Sequence, residues 1–209
     1  MHSSEVAAMF KNYIFDFGNV LIKFDPYYMV SAFVSDEEDK KLLVPIIFDR
    51  LYWNGLDDGS LSHQEAKEAF LKRIPQRLHK SACDIYDNWI KNIPEIEGMS
   101  ELLDELKDKG AKLYLLSNIS NYFAENYESV PEIVEIFSKF EGLVFSAPIK
   151  MTKPSREIFE HLLYKFDLRA GDCFFIDDSD KNVAGAKAAG IDGYLFDGDS
   201  AKLKKTLLR

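Results

Sequence analysis

The sequence predicts an α/β fold: a doubly wound (Rossmann-like) parallel sheet with an inserted helical cap. Five short apolar runs are nearly continuous rather than alternating, which is typical of strands buried on both faces of a sheet. Helical segments separate the later runs, as in a layered α/β core. Almost a hundred residues separate the first and second runs, which is too long for a single crossover and indicates an insertion.

The first strand is predicted over Tyr13–Phe17, and the insertion follows it. The cap is predicted to comprise residues 25–93, which leaves residues 1–24 and 94–209 to the core domain. Inside the cap the sequence predicts helices over Tyr28–Val34, Glu37–Phe48, His63–Arg73 and Lys80–Asn92.

Strands and helices alternate in the second part of the core. A helix over Ser100–Lys109, ended by Gly110, leads into the second strand. The helix after the third strand is predicted to span Pro154–Phe166, with the proline as its first residue. The other predicted strands are Leu113–Leu116, Leu143–Phe145, Phe174–Ile176 and Tyr194–Phe196, and the other helices are Ser120–Tyr127, Glu132–Phe140 and Asn182–Ala189.

Composition excludes several classes of protein. The formal net charge is −9, which argues against nucleic acid and anionic membranes as partners. Two cysteines without a C-x-x-C pair exclude a disulfide framework and a thiolate zinc site. No run approaches the roughly 20 apolar residues of a membrane helix, and the N-terminus lacks the features of a secretory signal. We therefore expect a soluble, cytoplasmic protein.

Polar residues follow four of the predicted strands directly. In open α/β sheets ligands bind at the carboxyl ends of the strands, so these side chains are expected to converge at one edge of the sheet. In chain order they are Asp16, Ser117, Asn118, Lys153, Asp177 and Asp178.

The acidic members of this set suit phosphoryl transfer. Asp16 could attack phosphorus and form an aspartyl-phosphate. Carboxylates this close repel one another unless a cation neutralises them, and Mg²⁺ prefers oxygen ligands. Asp16 and Asp177 are expected to bind the ion directly, and Asp178 directly or through water.

The remaining members suit phosphate binding. Lys153 would offset the charge of the phosphate, and Ser117 and Asn118 offer a hydroxyl, an amide and main-chain N–H groups. Each element alone has an ordinary structural explanation, such as a helix cap, a turn or a solvated lysine. The prediction depends on all four elements occurring in order after buried strands.

Four motifs carry a resemblance to a known family: DFGNVL at Asp16, LLSN at Asn118, KPSREIF at Lys153 and FFIDDSDKNVAGAKAAG at Asp177. Together they resemble the haloacid dehalogenase (HAD) superfamily over residues 12 to about 196. The insertion resembles that family's type-1 cap. With LDDGSLSHQEAKEAF, the first motif is most similar to the subgroup of glucose-1-phosphate phosphatases and epoxide hydrolase N-terminal domains.

The resemblance implies a role for each matching position. Asp16 would be the nucleophile and a ligand of Mg²⁺, with Asp177 as a further ligand and Asp178 in support. The phosphoryl group would be bound by Ser117, Asn118 and Lys153.

Gly18 departs from the family pattern. The family has a second aspartate here, acting as general acid and base. The Gly18 carbonyl can still bind the metal, but the proton donor is missing, and general acid catalysis is worth roughly 10²–10⁴-fold. Asp25 could replace it, or could simply be a turn residue before Pro26. Alternatively, the enzyme uses only substrates with good leaving groups.

The sequence therefore predicts a Mg²⁺-dependent phosphatase acting on a small phosphorylated metabolite, such as a sugar phosphate. The alternatives are a 2-haloacid dehalogenase-type hydrolase, which needs no metal, and a catalytically weakened member that binds a phosphorylated ligand. In the cap, Tyr52, Trp53 and Asn54 precede a glycine-rich turn and are candidates for substrate contacts. They could equally belong to the core of a helical bundle.

Overall fold

The computed structural model describes residues 10–208. Residues 1–9, in which no secretory signal is predicted, and Arg209 lie outside the described residues. Five parallel strands form one sheet in the order β3-β2-β1-β4-β5. They are β1 (Asn12–Phe15), β2 (Lys112–Ser117), β3 (Gly142–Phe145), β4 (Cys173–Asp177) and β5 (Asp192–Leu195). The predicted α/β class with a doubly wound parallel sheet is confirmed.

Within residues 25–93 the chain forms five α-helices. They are α1 (Pro26–Ser31), α2 (Glu37–Ile47), α3 (Arg50–Asp57), α4 (His63–Leu71) and α5 (His79–Asn88). The third of these was not predicted, because Gly55 and Asn54 favour a turn. The side chain of Asp49 caps α3 by accepting from the Leu51 N–H, and the helix buries one apolar face.

The remaining helices flank the sheet. They are α6 (Met99–Asp108), α7 (Asn121–Asn126), α8 (Pro131–Phe137), α9 (Ser146–Ile149), α10 (Arg156–Lys165), α11 (Asp180–Ala188) and α12 (Ser200–Leu207). The prediction that Pro154 opens a helix is wrong. Ser155 is the N-cap of α10, and the Ser155 N–H donates to the Thr152 carbonyl in a turn that precedes the helix.

Two apolar layers enclose the sheet, as alternation along the strands requires. Tyr13 and Phe15 face the layer that contains α6 and α8 and continues into the helices between β1 and β2. Ile14 faces the opposite layer, which is built largely from α10 and α11. None of the helices formed by residues 10–208 has the length and apolar character that crossing a bilayer requires.

Candidate active site

The site begins where β1 and β4 lie side by side at the centre of the sheet. Asp16 directly follows β1, and its N–H donates to the Ile176 carbonyl at 2.9 Å. Asp177 is the last residue of β4. The parallel register therefore brings two carboxylates, separated by 161 positions in the chain, to one edge of the sheet.

Lys153 lies between these two carboxylates. Its Nζ is 2.7 Å from Asp16 Oδ1 and 2.7 Å from Asp177 Oδ2. All three residues are buried, with Lys153 only 4% exposed. Removing such charges from water costs several kcal/mol per ion, roughly, so the arrangement depends on each charge keeping its partner.

The side chain of Asn118 positions Lys153. Its Nδ2 donates to the Lys153 carbonyl at 2.9 Å, and its Oδ1 accepts from the Lys153 N–H at 2.8 Å. Both ends of the amide are thus engaged by main chain. The second N–H of Nδ2 has no partner among the described residues, so the predicted contacts of the Asn118 amide and of the Asn118 N–H with phosphate stay predictions.

The pKa values follow from this burial. Burial alone would lower the pKa of Lys153, but the charges of Asp16 and Asp177 outweigh it, so the pKa is raised and the ammonium persists. Burial raises the pKa of Asp16, against the opposing effect of Lys153. Burial also raises the pKa of Asp178, while a hydrogen bond from Asn19 opposes it.

Three carboxylates form a cluster that could hold a cation. Asp16, Asp177 and Asp178 each offer one oxygen, and these oxygens lie within 4.8 Å of one another. Asp177 is oriented by Asn182 Nδ2, at 3.0 and 3.1 Å, and by the Ser179 N–H at 2.8 Å. Hard oxygen donors in this number suit Mg²⁺.

A cavity of about 310 Å³ opens above this cluster. What we call the floor comes from the strand ends: the lining residues Asp16, Ser117, Lys153 and Asp178, together with Asp177, which is fully buried and pairs with Lys153. The roof of the cavity, by which we mean Phe24, Arg50, Trp53, Asp57 and Trp89, comes from the segment between β1 and β2. Ser117 and Gly18 both line the cavity, and their roles in binding phosphate and metal stay predictions.

The roof corrects the predicted substrate contacts. Trp53 lines the cavity, but Tyr52 is buried and its hydroxyl accepts from Arg73 instead. Asn54 is exposed and does not line the cavity.

Asp25 also lies elsewhere. It caps α1 by accepting from the Tyr28 N–H at 3.0 Å, and that bond lowers the pKa of Asp25. A carboxylate held ionised at a helix cap is a poor proton donor.

Arg50 and Asp57 are cavity residues that the sequence analysis missed. Both lie on α3, one at each end. The available signal was the Asp49 cap followed by apolar residues at Tyr52, Trp53 and Leu56, which together predict an amphipathic helix. Such a helix places its first and last residues two turns apart.

Comparisons with known proteins identify relatives of this chain and of its fold. A sesquiterpene phosphatase of Aspergillus oryzae is 27% identical over 88% of each chain. A D-ribitol-5-phosphate phosphatase of Bacteroides thetaiotaomicron is 25% identical over 89% of this chain and 91% of its own. An aspartate-to-alanine variant of a HAD family enzyme from the same organism, solved with magnesium and inorganic phosphate, superposes with a TM-score of 0.70 at 23% identity, covering 93% and 98% of the two chains.

The family model for haloacid dehalogenase-like hydrolases matches residues 10–190. That range includes β1 to β4 and every residue of the floor and roof. The chain therefore belongs to the haloacid dehalogenase-like hydrolases.

Proposed function

We propose that this hydrolase is a phosphatase that transfers a phosphoryl group from a small organic phosphate to Asp16 and then to water. The observation that carries the proposal is the hydrogen bonding of the Asp16 carboxylate, which engages one of its two oxygens. Its Oδ1 accepts from Lys153 Nζ and from the Phe17 N–H, at 2.7 Å each. Within residues 10–208, Oδ2 accepts no hydrogen bond, which leaves one oxygen for attack on phosphorus.

The neighbouring floor residues would bind the transferring group. The Lys153 ammonium supplies a buried positive charge beside the point of attack, and the Ser117 hydroxyl lines the cavity next to it. Fixed donors of this kind stabilise the charge that develops on phosphate oxygens.

Mg²⁺ is part of the proposal. Asp16, Asp177 and Asp178 would hold the ion, with the Gly18 carbonyl as the further predicted ligand. When bound, Mg²⁺ supplies positive charge that neutralises the phosphate. The fit rests on the three converging carboxylate oxygens, for which Lys153 is the one ion-pair partner among residues 10–208.

We also propose that residues 25–93 act as a cap that selects the substrate. In the roof, the rings of Phe24, Trp53 and Trp89 pack together. The ring centroid of Trp53 lies 5.2 Å from that of Phe24 and 5.3 Å from that of Trp89. The Trp53 Nε1 donates to the Ile47 carbonyl and is not free for a ligand.

Two substrate classes suit such a roof. A sugar phosphate could stack on the rings, and one of the relatives acts on ribitol phosphate by name. Because the indole N–H of Trp53 already has a main-chain partner, the roof favours a second class, phosphates of apolar alcohols. Another relative is by name a sesquiterpene phosphatase. A cytoplasmic location, with neither nucleic acid nor membrane as a partner, stays a prediction.

Two other activities were considered for the same fold. Displacement of halide from carbon would need only one carboxylate, whereas three converge here. A purely ligand-binding protein would not need a nucleophilic oxygen kept free of partners. Both observations favour phosphoryl transfer.

The test is hydrolysis of p-nitrophenyl phosphate with Mg²⁺, with EDTA as the metal-free control. We expect metal-dependent turnover that Asp16→Asn abolishes, because the amide cannot attack phosphorus. Undiminished turnover in Asp16→Asn would refute the proposal, and halide release from a 2-haloacid in EDTA would support the dehalogenase instead. Thermal stabilisation by Mg²⁺ and phosphate without turnover would support the binding protein.

A further inference from the structure

Phosphoryl transfer to Asp16 leaves an alkoxide that needs a proton, and Gly18 has no side chain to supply one. The cavity is lined by five residues with titratable or charged side chains: Asp16, Arg50, Asp57, Lys153 and Asp178. Asp16 and Lys153 are paired with each other, and Asp178 belongs to the proposed metal cluster. Arginine does not release its proton near neutral pH. Asp57 is the carboxyl group that remains.

Asp57 is a roof residue that lines the same cavity as the nucleophile. It is the last residue of α3, where the partial negative charge of the helix C-terminus disfavours an ionised carboxylate. Within residues 10–208, the Asp57 side chain forms no hydrogen bond or ion pair. The carboxyl group is therefore free to meet a substrate.

The protonated form of Asp57 is accessible near neutral pH. Burial raises the pKa of Asp57 to about 7, against the opposing charge of Arg50 on the same helix. The charge of Asp16 raises it further, Lys153 across the cavity lowers it, and the adjacent Asp58 raises it. A general acid works best with a pKa near the operating pH.

The main chain at Asp57 is anchored to the core. The Ser146 hydroxyl donates to the Asp57 carbonyl at 2.5 Å and accepts from the Ile119 N–H at 2.8 Å. Ile119 follows the predicted phosphate-binding pair at the end of β2, so one buried serine ties the roof to the floor.

Gly59 tightens the same junction. It has φ +72°, and a Cβ there would lie 2.6 Å from the Ala147 carbonyl oxygen. Only glycine permits this close approach of the chain after α3 to α9.

We propose that Asp57 is the general acid that protonates the leaving group. The inference rests on the proposed phosphatase function. An Asp16 oxygen forms a bond to phosphorus, the bond from phosphorus to the ester oxygen breaks, and that oxygen takes its electron pair and the proton of the Asp57 carboxyl. The Asp57 carboxylate then accepts a proton from the water that attacks phosphorus and releases Asp16 and inorganic phosphate, which restores the starting state.

The experiment compares two substrates of similar shape in wild-type protein and Asp57→Asn. Benzyl phosphate releases a basic alkoxide, whereas p-nitrophenyl phosphate releases a stable anion that hardly needs a proton. The readout is kcat/KM, which covers the steps up to release of the leaving group. We expect Asp57→Asn to lower it for benzyl phosphate by about 10²-fold, the lower end for general acid catalysis, and to change it little for p-nitrophenyl phosphate.

The pH profile is a second readout. In wild-type protein kcat/KM for benzyl phosphate should fall as the pH rises through about 7, because Asp57 loses its proton. In Asp57→Asn this decline should disappear.

Asp58→Asn is the matched control. Asp58 is the adjacent carboxylate, it accepts from the Ser60 N–H, and it does not line the cavity. Its charge is the weakest influence on the pKa of Asp57, so we expect Asp58→Asn to change the ratio between the two substrates far less than Asp57→Asn does.

Equal losses with both substrates in Asp57→Asn, or no loss with either, would overturn the assignment. Failure of the wild-type protein to hydrolyse p-nitrophenyl phosphate would instead refute the phosphatase function itself.

Discussion

The floor and the roof of the cavity differ in whether their charged side chains are paired. On the floor, Lys153 and the two carboxylates it contacts are buried, paired and oriented by further hydrogen bonds. On the roof, three aromatic side chains form an apolar surface, and Asp57 and Arg50 have no ion-pair partner within residues 10–208. The difference teaches that, in the proposed phosphatase, the floor performs the same reaction on any phosphate. The roof is left open to meet the rest of a substrate.

The largest effect, on both turnover and stability, is expected when the charge of Lys153 at the centre of the floor is removed. Lys153→Met leaves Asp16 and Asp177 buried without their cation, so turnover should be lost. Breaking a buried pair costs about 3–5 kcal/mol in the free energy of unfolding. Urea denaturation should show this loss without metal, and Mg²⁺ should recover part of it by replacing the missing charge.

Lys181→Met is the control for that variant. Lys181 is exposed and forms no ion pair among the described residues. Equal stability of Lys153→Met and Lys181→Met would contradict the account of the floor as a set of mutually dependent charges.

A smaller loss of stability and of kcat is expected at Asn118, because its side chain forms hydrogen bonds with the main chain of Lys153. Asn118→Ala removes two hydrogen bonds, worth about 1 kcal/mol each in the free energy of unfolding. The displaced lysine should lower kcat for both test substrates to the same extent, unlike Asp57→Asn.

Asn126→Ala serves as the comparison for Asn118→Ala. It also removes a side-chain bond to main chain, to the Tyr122 carbonyl, but lies outside the cavity. A kcat of Asn118→Ala as high as that of Asn126→Ala would show that Lys153 needs no such support.

The smallest effect is expected at Asp25, the alternative proton donor. Asp25→Ala removes the cap of α1 and should cost about 1 kcal/mol of stability, without changing the ratio between benzyl and p-nitrophenyl phosphate. Because the folded protein lowers the pKa of Asp25, the cap stabilises above the ordinary aspartate range and its contribution disappears as the pH falls below about 4. Urea denaturation at neutral and acidic pH measures this. A selective loss with benzyl phosphate would make Asp25 the donor instead of Asp57.

Much of the floor was predictable because each of its residues follows a buried strand. Continuous apolar runs identify parallel strands, and their carboxyl ends meet at one edge of the sheet, so Asp16, Ser117, Lys153 and Asp177 could be grouped without coordinates. The bonds from the Asn118 side chain to the main chain of Lys153 could not be predicted, because an amide at a strand end can bind phosphate or main chain. The choice depends on where the turn before α10 passes.

The roof was less predictable. Its key helix, α3, contains Gly55 and is short, so local propensity favours a turn, and burial of Tyr52, Trp53 and Leu56 overrides that preference. No motif in the sequence singled out Asp57.

The sequence by itself determined the alternation of strands and helices in the core, the family and the position of the proposed nucleophile, because these depend on local apolar patterning and on short motifs. Only the tertiary structure decided that Asp57 meets the cavity while Asp25 caps a helix. Those two outcomes depend on how the helices between β1 and β2 pack against the sheet, through contacts such as that of Ser146 with Asp57, which join residues 89 positions apart.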